Sequence, residues 1–393
     1  MKSFLKLLGK VKNKIVLIRL DLNVPLVNNK IVDTTRIDKI VESLNLLLKK
    51  GAKIIIVSHI GRPNGQKIKK LSLMPVAKCL EIKINREIEL IYDNVLKLDR
   101  PTIKKKFNNN ILMLENIRFY PEEEKNDSFF AERISKLGDF YVNEAFSCSH
   151  RKHASVVAIT KFIDSYAGLL FEEEVNALKK ITTNITKPIT CIIGGSKISS
   201  KIKIIENLIP KFDNIVVIGG MANNFFKFNN KEIGKSIYEK NVNNIIKRIF
   251  NLSIKYNCKI VLPKDVKVGN NFESTSENKN ISEISEKDII LDIGNKSVSS
   301  IETIINKSKT VLWNGPAGYF ENPNFSNGSE AIAKIISSRS KAKKLFSVVG
   351  GGDTVAVINK KKLLKNFNFV STAGGAFLEY LEGIKLPGIK ALD

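Results

Sequence analysis

The sequence is poor in the residues that build disulfide frameworks and zinc sites. Its 393 residues include four cysteines and three histidines. The cysteines are scattered, without a C-x-x-C pair, at Cys79, Cys148, Cys191 and Cys258. Structural zinc sites and disulfide-rich domains normally show closely spaced cysteines. The sequence therefore indicates neither a disulfide-stabilised secreted domain nor a structural zinc site.

Long apolar runs are also lacking. No apolar stretch reaches the ~18 residues that a membrane-spanning helix requires. The opening segment has lysines at positions 2, 6 and 10, which are too close together for the apolar region of a signal peptide. We therefore expect a cytoplasmic protein that has no membrane partner and whose mature chain begins near Met1.

Negative charge is scarce relative to positive charge. The chain has 64 Lys and Arg against 39 Asp and Glu, a formal net charge of +25. A basic surface attracts anionic ligands or nucleic acid. Here, however, lysine is enriched along the whole chain, without interleaved aromatic residues or a long basic tail. We favour a lysine-rich solvated surface, with a nucleic-acid-binding protein as the alternative that a salt-sensitive gel shift would support.

Short runs of Ile, Val and Leu alternate with longer helix-like segments, which is typical of parallel sheets covered by helices on both faces. The length favours roughly two to three domains. The hydrophobic content of 43% is ample for sizeable cores. The pattern predicts strands at Ile15–Leu20, Lys53–Val57, Ile111–Leu114, Phe140–Val142, Ile189–Ile193, Asn214–Ile218, Lys259–Leu262, Ile289–Leu291, Thr310–Trp313, Phe346–Val349 and Phe367–Val370.

Polar and glycine residues follow these predicted strands, and ligands bind at the carboxyl ends of strands in open α/β sheets, so the pattern predicts an enzyme. The first half of the chain offers cationic and imidazole side chains, which suit phosphates and carboxylates. These are Arg19, Arg36, His59, Arg62, Arg118, His150, Arg151 and His153. The second half offers glycine turns, which suit nucleotide phosphates. These are Gly194–Gly195, Gly219–Gly220 and Gly350–Gly352.

The turn at Gly194–Gly195 lies between a β-branched apolar run and a segment with helical periodicity. The periodicity predicts a helix from Ile198 onward, with Lys197 and Lys201 one turn apart on the same side. Unpaired N–H groups at the start of that helix, together with the lysines, would bind phosphate. The P-loop spacing is missing. A purely structural turn with solvated lysines is the alternative.

A series of motifs, in order along the chain, resembles the phosphoglycerate kinase family. They are Arg19–Pro25, Ser58–Pro63, Leu114–Phe119, Val142–Phe146, His150–His153, Gly194–Lys197, Trp313–Pro316, Gly350–Thr354 and Leu381–Gly388. The resemblance implies an α/β fold of two doubly wound parallel-sheet, Rossmann-like domains that face each other across a cleft, in a monomer. It also implies reversible, Mg²⁺-dependent transfer of the acyl phosphate of 1,3-bisphosphoglycerate to ADP, giving ATP and 3-phosphoglycerate in glycolysis.

The same resemblance implies the site residues. Those around the glycerate phosphate and carboxyl end are Asp21, Asn23, Arg36, His59, Ile60, Gly61, Arg62, Arg118 and Arg151. Those of the nucleotide site are Gly194, Gly195, Lys197, Lys201, Gly219, Gly220, Asn314, Pro316, Glu321, Gly350, Gly351, Gly352, Asp353 and Thr354. Glu321 is implied at the ribose, and Asp353 is implied to hold Mg²⁺ through the nucleotide phosphates. Arg36 and Lys197 are the implied catalytic residues.

The implied reaction needs no general base, since neither the ADP oxygen nor the carboxylate carries a proton that must be removed. Its barrier is charge on the transferring phosphoryl group, which positioned cations stabilise. From the residues alone, Arg36 could instead pair with Asp33 or a neighbour on a helix face. Asp21 and Asn23 could likewise form an Asx turn before Pro25. Mg²⁺ prefers oxygen ligands, so we expect the histidines to hydrogen-bond.

We predict a substrate domain at residues 1–167, an interdomain helix at 168–181, a nucleotide-binding domain at 182–371 and a C-terminal segment at 372–393 that packs on the first domain. Domain closure is then part of the mechanism. The chain departs from the family pattern Ser-Thr-Gly-Gly-Gly-Ala-Ser at Ala373 and Phe377. A Cβ at position 373 would be strained if φ were positive there. A kinase acting on another carboxylate is the alternative enzyme, and it would lack the arginine set.

Overall fold

The computed structural model describes all 393 residues, which group into two compact units. The first unit comprises Met1–Val175 together with Lys385–Asp393, and the second comprises Asn176–Ile384. The division falls inside one helix. The last residues of the chain belong to the first unit. The four-part domain division given above stays a prediction.

The first unit is built on a six-stranded parallel sheet with the order β5-β6-β4-β1-β7-β8, and β2 and β3 form a separate antiparallel hairpin. Its strands are β1 (Ile15–Arg19), β2 (Leu26–Val27), β3 (Lys30–Ile31), β4 (Lys53–Val57), β5 (Ile88–Ile91), β6 (Ile111–Leu114), β7 (Phe140–Asn143) and β8 (Ser165–Ala167). Its helices are α1 (Phe4–Leu7), α2 (Thr35–Lys49), α3 (Met74–Ile84), α4 (Arg100–Lys106), α5 (Pro121–Glu124) and α6 (Ser128–Ser135), followed by α7 (Leu169–Thr182), which continues into the second unit.

The central strand β1 shows why this part of the chain forms a doubly covered sheet. All five of its residues are buried. Val16 and Ile18 pack into one hydrophobic core with residues of α2 and α3. Ile15 and Leu17 pack into a second core with residues of α4 and α6. Successive side chains of a strand point to opposite faces, so a continuous apolar run buries both faces of the sheet.

The second unit has its own six-stranded parallel sheet, with the order β11-β10-β9-β15-β16-β17, and a three-stranded antiparallel sheet, β13-β12-β14. Its strands are β9 (Ile189–Ile193), β10 (Asn214–Val217), β11 (Lys259–Val261), β12 (Asp265–Gly269), β13 (Glu277–Asn280), β14 (Ile289–Ile293), β15 (Thr310–Asn314), β16 (Phe346–Gly350) and β17 (Phe369–Val370). Its helices are α8 (Ile202–Leu208), α9 (Ala222–Phe228), α10 (Asn243–Lys255), α11 (Asn295–Lys307), α12 (Asn327–Lys341), α13 (Gly352–Lys360) and α14 (Gly375–Leu381), and α15 (Pro387–Lys390) completes the first unit. No helix combines the length and apolar character needed to cross a membrane.

The predicted fold class is confirmed by the two six-stranded parallel sheets, but some strands differ from the prediction. The predicted strand Ile289–Leu291 lies in β14, which belongs to the antiparallel sheet. Four strands outside the hairpin were not predicted: β5, β8, β12 and β13. The segment of β13 reads Glu-Asn-Lys-Asn and has no apolar signal, and β8 is only three residues long. The extended conformation of these two segments depends on hydrogen-bonded pairing with neighbouring strands rather than on a pattern in their own sequence.

The phenol of Tyr141 provides a test of packing in the first unit. Tyr141 lies in β7, is fully buried and donates a hydrogen bond to the carbonyl oxygen of Ser155 at 2.5 Å. Tyr141→Phe removes this donor from a buried acceptor, so the free energy of unfolding should fall by about 1–3 kcal/mol. Urea titration followed by circular dichroism measures the change. Tyr256→Phe, at a site 43% exposed, is the control and should change stability little. Equal stability of Tyr141→Phe and the unmodified protein would contradict the assignment.

Candidate active site

Asp21, Asn23 and Arg36 form one hydrogen-bonded group at the carboxyl end of β1. The backbone N–H of Asn23 donates to Asp21 Oδ1 at 3.1 Å, so the Asx turn is present. Arg36 Nη1 donates to Asp21 Oδ2 at 2.5 Å and to the carbonyl oxygen of Asn23 at 3.2 Å. Asp33 accepts hydrogen bonds from the backbone and hydroxyl of Thr35. Arg36 therefore pairs with the β1 turn, and its positive charge, after the hydrogen bonds from Thr35, also helps to lower the pKa of Asp33.

The segment after β4 joins this group through its backbone. Asn23 Oδ1 accepts from the backbone N–H of Gly61 at 2.9 Å, and Arg118 Nη1 donates to the carbonyl oxygen of Gly61 at 2.9 Å. Asn116 Nδ2 donates to the carbonyl oxygen of Ile60 at 2.8 Å. Gly61 has φ +65°, a conformation that favours glycine. The turns after β1, β4 and β6 are thus tied together at one edge of the sheet.

His59 is neutral because of its surroundings. It is 3% exposed, and its Nδ1 lies 2.9 Å from Nη2 of the fully buried Arg19. Burial, and then the positive charge of Arg19, hold the pKa of His59 well below its usual value. The charges of Arg118 and Arg36 act in the same direction. A neutral imidazole among guanidinium groups can hydrogen-bond to a ligand without adding charge.

The remaining predicted residues of this site lie in exposed turns. Arg62 follows Gly61, and Arg151 lies in the turn after β7. Both side chains are exposed, whereas Arg118 is 6% exposed. Together with burial, the positive charges of Arg118, Arg19 and Arg151 lower the pKa of His153. The carboxyl edge of the first sheet therefore carries an excess of guanidinium groups, which suits a small molecule with phosphate and carboxylate groups.

Three further side chains take part in this network: Arg19, which the sequence places only among the cationic residues of the first half, and Ser147 and Asn116, which were not predicted as site residues. Arg19 donates through Nε to Ser155 Oγ at 2.9 Å and also contacts His59. Ser147 Oγ donates to Asp21 Oδ2. Asn116 supports Ile60. Arg19 ends β1, and the other two follow strands β6 and β7, so their place at strand ends was the available signal. Each acts through a neighbouring predicted residue.

In the second unit, the glycine turns pack backbone against backbone. A Cβ at Gly194 would lie 2.2 Å from the carbonyl oxygen of Pro316. Gly219 and Gly315 have φ +68° and +102°, and a Cβ on either would also meet main-chain atoms of a neighbouring turn. The backbone N–H of Gly194 donates to the carbonyl oxygen of Asn314 at 2.9 Å. Only glycine permits this close approach of the turns after β9, β10 and β15.

Asn314 links these turns to the one after β16. Lys201 Nζ donates to Asn314 Oδ1, and Asn314 Nδ2 donates to the carbonyl oxygen of Gly350 at 2.7 Å. Thr354 Oγ1 accepts from the backbone N–H of Gly315 at 2.7 Å. Burial lowers the pKa of Lys201. The ammonium group of Lys201 is thus fixed beside the glycine turns, where a phosphate would meet it.

The predicted helix after Gly194–Gly195 begins later than expected. It starts at Ile202 rather than at Ile198, and Lys201 is the residue that precedes it. Lys197 lies in the exposed loop between β9 and this helix. The expectation that both lysines share one side of a helix is therefore wrong. Within this loop the carboxylate of Glu239 accepts hydrogen bonds from both the backbone N–H and the hydroxyl of Ser199.

A cavity of about 260 Å³ opens beside these turns. The predicted residues in its wall are Gly195, Gly219, Gly220, Pro316, Glu321 and Asp353. Much of the remaining wall is apolar, with Phe226, Ile237 and Leu291 among its residues. Gly194, Lys201, Asn314 and Thr354 are joined to it through the hydrogen bonds above. The arrangement suits a ligand with an apolar ring and phosphates.

The two departures from the family pattern are accommodated. Positive φ occurs at Gly374, with φ +55°, and not at Ala373, so the Cβ of Ala373 causes no strain of that kind. Phe377 is 1% exposed and packs beneath the turn after β16. A Cβ at Gly350 would lie 2.3 Å from Phe377 Cε1. The aromatic ring thus supports the glycine turn from below.

Two places offer ligands for a cation. Asp353 lies in the first turn of α13 beside the cavity, and its side chain is exposed. One carboxylate together with nucleotide phosphates is a common way to hold Mg²⁺. Asp21, His59 and Cys148 have ligand atoms within 4.8 Å of one another. Arg36 and Arg19 already contact the first two of these, so the surrounding positive charge opposes a cation there.

Comparisons with known proteins agree on one family. A family model described as phosphoglycerate kinase matches residues 6–384. A phosphoglycerate kinase of Wolbachia sp. subsp. Brugia malayi is 44% identical over 382 residues, 97% of this chain and 96% of the relative. One of Bartonella bacilliformis is 42% identical over 386 residues, 98% of this chain and 96% of the relative. The structure of phosphoglycerate kinase from Coxiella burnetii is similar with a TM-score of 0.90 at 36% identity, covering 97% of this chain and 96% of that one.

The neutral state of His153 predicts a pH dependence of stability. Burial, and then the charges of Arg118, Arg19 and Arg151, lower the pKa of His153 to about 3. The unfolded chain takes up the proton below about pH 6.5 and the folded one does not. Between those values, acid therefore destabilises the fold through this group, by at most about 1.4 kcal/mol per pH unit.

His153→Gln cannot take up the proton, so its stability should fall less steeply with acid than that of the unmodified protein. Urea titrations between pH 8 and pH 4.5 measure the difference. At pH 8 both side chains are neutral, and the difference reports lost contacts alone. The unmodified protein should lose its advantage progressively below pH 6.5. Parallel stability curves would show that His153 takes up its proton as readily in the folded chain as in the unfolded one, which would contradict the lowered pKa.

Proposed function

The chain belongs to the phosphoglycerate kinase family, and we propose that its two units divide the family's reaction between them. That reaction is the reversible transfer of the acyl phosphate of 1,3-bisphosphoglycerate to ADP in glycolysis. In the proposal, the first unit binds the triose and the second binds the nucleotide. The observation that carries it is chemical: guanidinium groups gather at the carboxyl edge of one parallel sheet, and glycine turns at that of the other.

The triose site comprises Asp21, Asn23, Arg36, His59, Ile60, Gly61, Arg62, Arg118 and Arg151. Arg62, Arg118 and Arg151 supply positive charge for the phosphate and carboxyl end of the substrate, and neutral His59 supplies a hydrogen bond. Arg36 is the catalytic residue of this unit. Two acceptors on its Nη1, from Asp21 and Asn23, support this role, because they fix the guanidinium at the end of β1. Its charge can then stabilise the transferring phosphoryl group.

The nucleotide site comprises Gly194, Gly195, Lys201, Gly219, Gly220, Asn314, Pro316, Glu321, Gly351, Gly352, Asp353 and Thr354. The apolar cavity takes the base and Glu321 the ribose. Glycine main-chain atoms and Lys201 take the phosphates, which explains why Lys201 is held by Asn314. Lys197, in its exposed loop, is the second catalytic residue. A loop lysine can follow the phosphoryl group as a mobile point charge.

Asp353 is the residue that holds Mg²⁺ in this proposal, together with the nucleotide phosphates. The bound ion supplies positive charge that offsets the charge of those phosphates. Asp353 is the second residue of α13, which begins at Gly352 directly after Gly351, so its carboxylate lies beside the proposed phosphate-binding turn. No protein base is required. Direct transfer requires that the two bound substrates be brought together, with water kept from the acyl phosphate.

A coupled assay with 3-phosphoglycerate and ATP tests the function directly. Turnover with 3-phosphoglycerate, and little with acetate or aspartate in its place, is the expected result. Preference for another carboxylate would favour a different kinase of this class. Salt-sensitive retention of nucleic acid without turnover would favour the nucleic-acid-binding alternative. We also propose that the protein is a cytoplasmic monomer. Size-exclusion chromatography with light scattering measures its molar mass and so tests the oligomeric state.

Arg36→Ala and Lys197→Ala test the catalytic assignment. Each should lower kcat by about 10²–10³-fold with a much smaller change in KM, because each removes charge stabilisation that operates mainly in the transition state. Steady-state kinetics measure both constants. Lys203→Ala, a neighbouring exposed lysine on α8, is the charge-matched control for Lys197 and should leave kcat unchanged. Near-normal kcat in either catalytic variant would remove its assigned role.

Asp353→Asn tests the metal assignment. Removal of Mg²⁺ with a chelator should abolish turnover. In Asp353→Asn, the Mg²⁺ concentration for half-maximal activity should rise about 10–100-fold, the range seen when a group that supports a metal is replaced. Glu286→Gln removes an exposed carboxylate elsewhere in the same unit and should leave the Mg²⁺ requirement unchanged. An unchanged requirement in Asp353→Asn would assign Mg²⁺ to other ligands.

A further inference from the structure

The first unit contains a second cavity that includes none of the proposed site residues. Its volume is about 560 Å³. The segment Lys67–Lys70 forms one side, and the others are formed by the start of α3, by Tyr92 after β5, and by Phe119 and Tyr120. The proposed function leaves this space without a role, although it is large enough for an organic molecule.

The walls of this cavity expose apolar surface. Tyr92 is 59% exposed and Ile68 is 37% exposed. Phe119 and Tyr120 line the same cavity, and the Tyr120 hydroxyl accepts from the backbone N–H of Val95 at 3.0 Å, which fixes that ring. Aromatic and branched side chains gathered around one depression are typical of a ligand site rather than of scattered surface residues.

The rim is positively charged. Lys67, Lys69 and Lys70 are exposed there. The one acid in the wall is Glu115. Its Oε1 accepts from the backbone N–H groups of Leu73 and Asn116, each at 2.8 Å, and its Oε2 accepts from the hydroxyl of Ser72 at 2.6 Å. These donors hold the carboxylate in place without removing its charge, and the three lysines outnumber it, so the opening carries net positive charge.

We propose that this cavity binds a small amphiphilic anion, with a flat apolar body and one carboxylate, sulfonate or phosphate group. The body lies between Tyr92, Ile68 and Phe119, and the anionic group meets Lys69 and Lys70. Inorganic phosphate would leave the apolar walls unused, and a neutral aromatic molecule would leave the lysines unused. The combination of walls and rim therefore selects a ligand that has both parts.

The wall of the cavity is hydrogen-bonded to the proposed triose site, although the two have no residue in common. Asn116 Nδ2 donates to the carbonyl oxygens of Ile60 and Leu71, at 2.8 and 2.9 Å. Leu71 lies between Lys70 and Ser72 in the cavity wall. Phe119 directly follows Arg118 in the chain. A bound anion would thus contact neighbours of triose-binding residues, and both ligands should be able to bind at once.

Fluorescence titration with 8-anilinonaphthalene-1-sulfonate, a flat aromatic sulfonate, tests the proposal on the full-length protein. The titration is done with saturating 3-phosphoglycerate and MgATP, so that both substrate sites are filled. One saturable site is the expected result. Its Kd should rise at least fivefold in Tyr92→Ala and in the double variant Lys69→Gln/Lys70→Gln. The control Lys104→Gln/Lys105→Gln removes the same charge from α4 of the same unit and should not change Kd.

Three results would overturn the proposal. Displacement of the probe by either substrate would put it in a substrate site. Equal Kd values in all variants would put it elsewhere on the surface. Equally tight binding of neutral N-phenyl-1-naphthylamine would show that the cavity does not require an anionic group on its ligand. The proposed function and the proposed cavity site can fail independently. If the substrates were assigned wrongly, the probe affinities of the variants could still be compared in a titration without substrates. Matching near-ultraviolet circular dichroism shows that each variant is folded.

Discussion

The parallel direction of the strands is the constraint on which the rest of this structure depends. In each six-stranded sheet every strand runs the same way, so every strand ends at the same edge. Residues far apart in sequence are thereby brought within hydrogen-bond distance through the turns after β1, β4 and β6, as Gly61 is with both Asn23 and Arg118. The buried faces of the strands make that edge a rigid base for the turns.

The two units use this edge in chemically different ways. In the first, side chains dominate. Burial and then the charge of Arg19 lower the pKa of His59, so the positive charge there comes from guanidinium groups. In the second, glycine main-chain atoms dominate, because any Cβ at Gly194 would meet the turn after β15. A fixed ammonium group, Lys201, stands beside them. Side-chain charge suits a small acid, and a glycine cradle suits a phosphate chain.

The sequence predicted the parallel α/β architecture well, because buried strands carry continuous apolar runs that periodicity detects. The positions of the glycines and arginines could be predicted for the same reason, since they follow those runs. The resemblance to the family supplied their roles. Strands without an apolar signal, such as Glu277–Asn280, depend on pairing and were missed. The start of the helix at Ile202 was missed because apolar periodicity continues through Ile198, whereas the loop before Ile202 makes a contact, Ser199 to Glu239, between residues far apart in sequence. Phe377 beneath Gly350 is likewise a tertiary contact.

The central claim is that each unit binds its own substrate, and titration calorimetry with one substitution per unit tests it most directly. Arg62→Gln in the first unit and Gly194→Ala in the second are the two variants, each titrated with 3-phosphoglycerate and with MgATP. The account predicts that Arg62→Gln weakens only the triose and Gly194→Ala weakens only the nucleotide. Loss of both affinities from a single substitution, with the other variant unaffected, would contradict the division between the units.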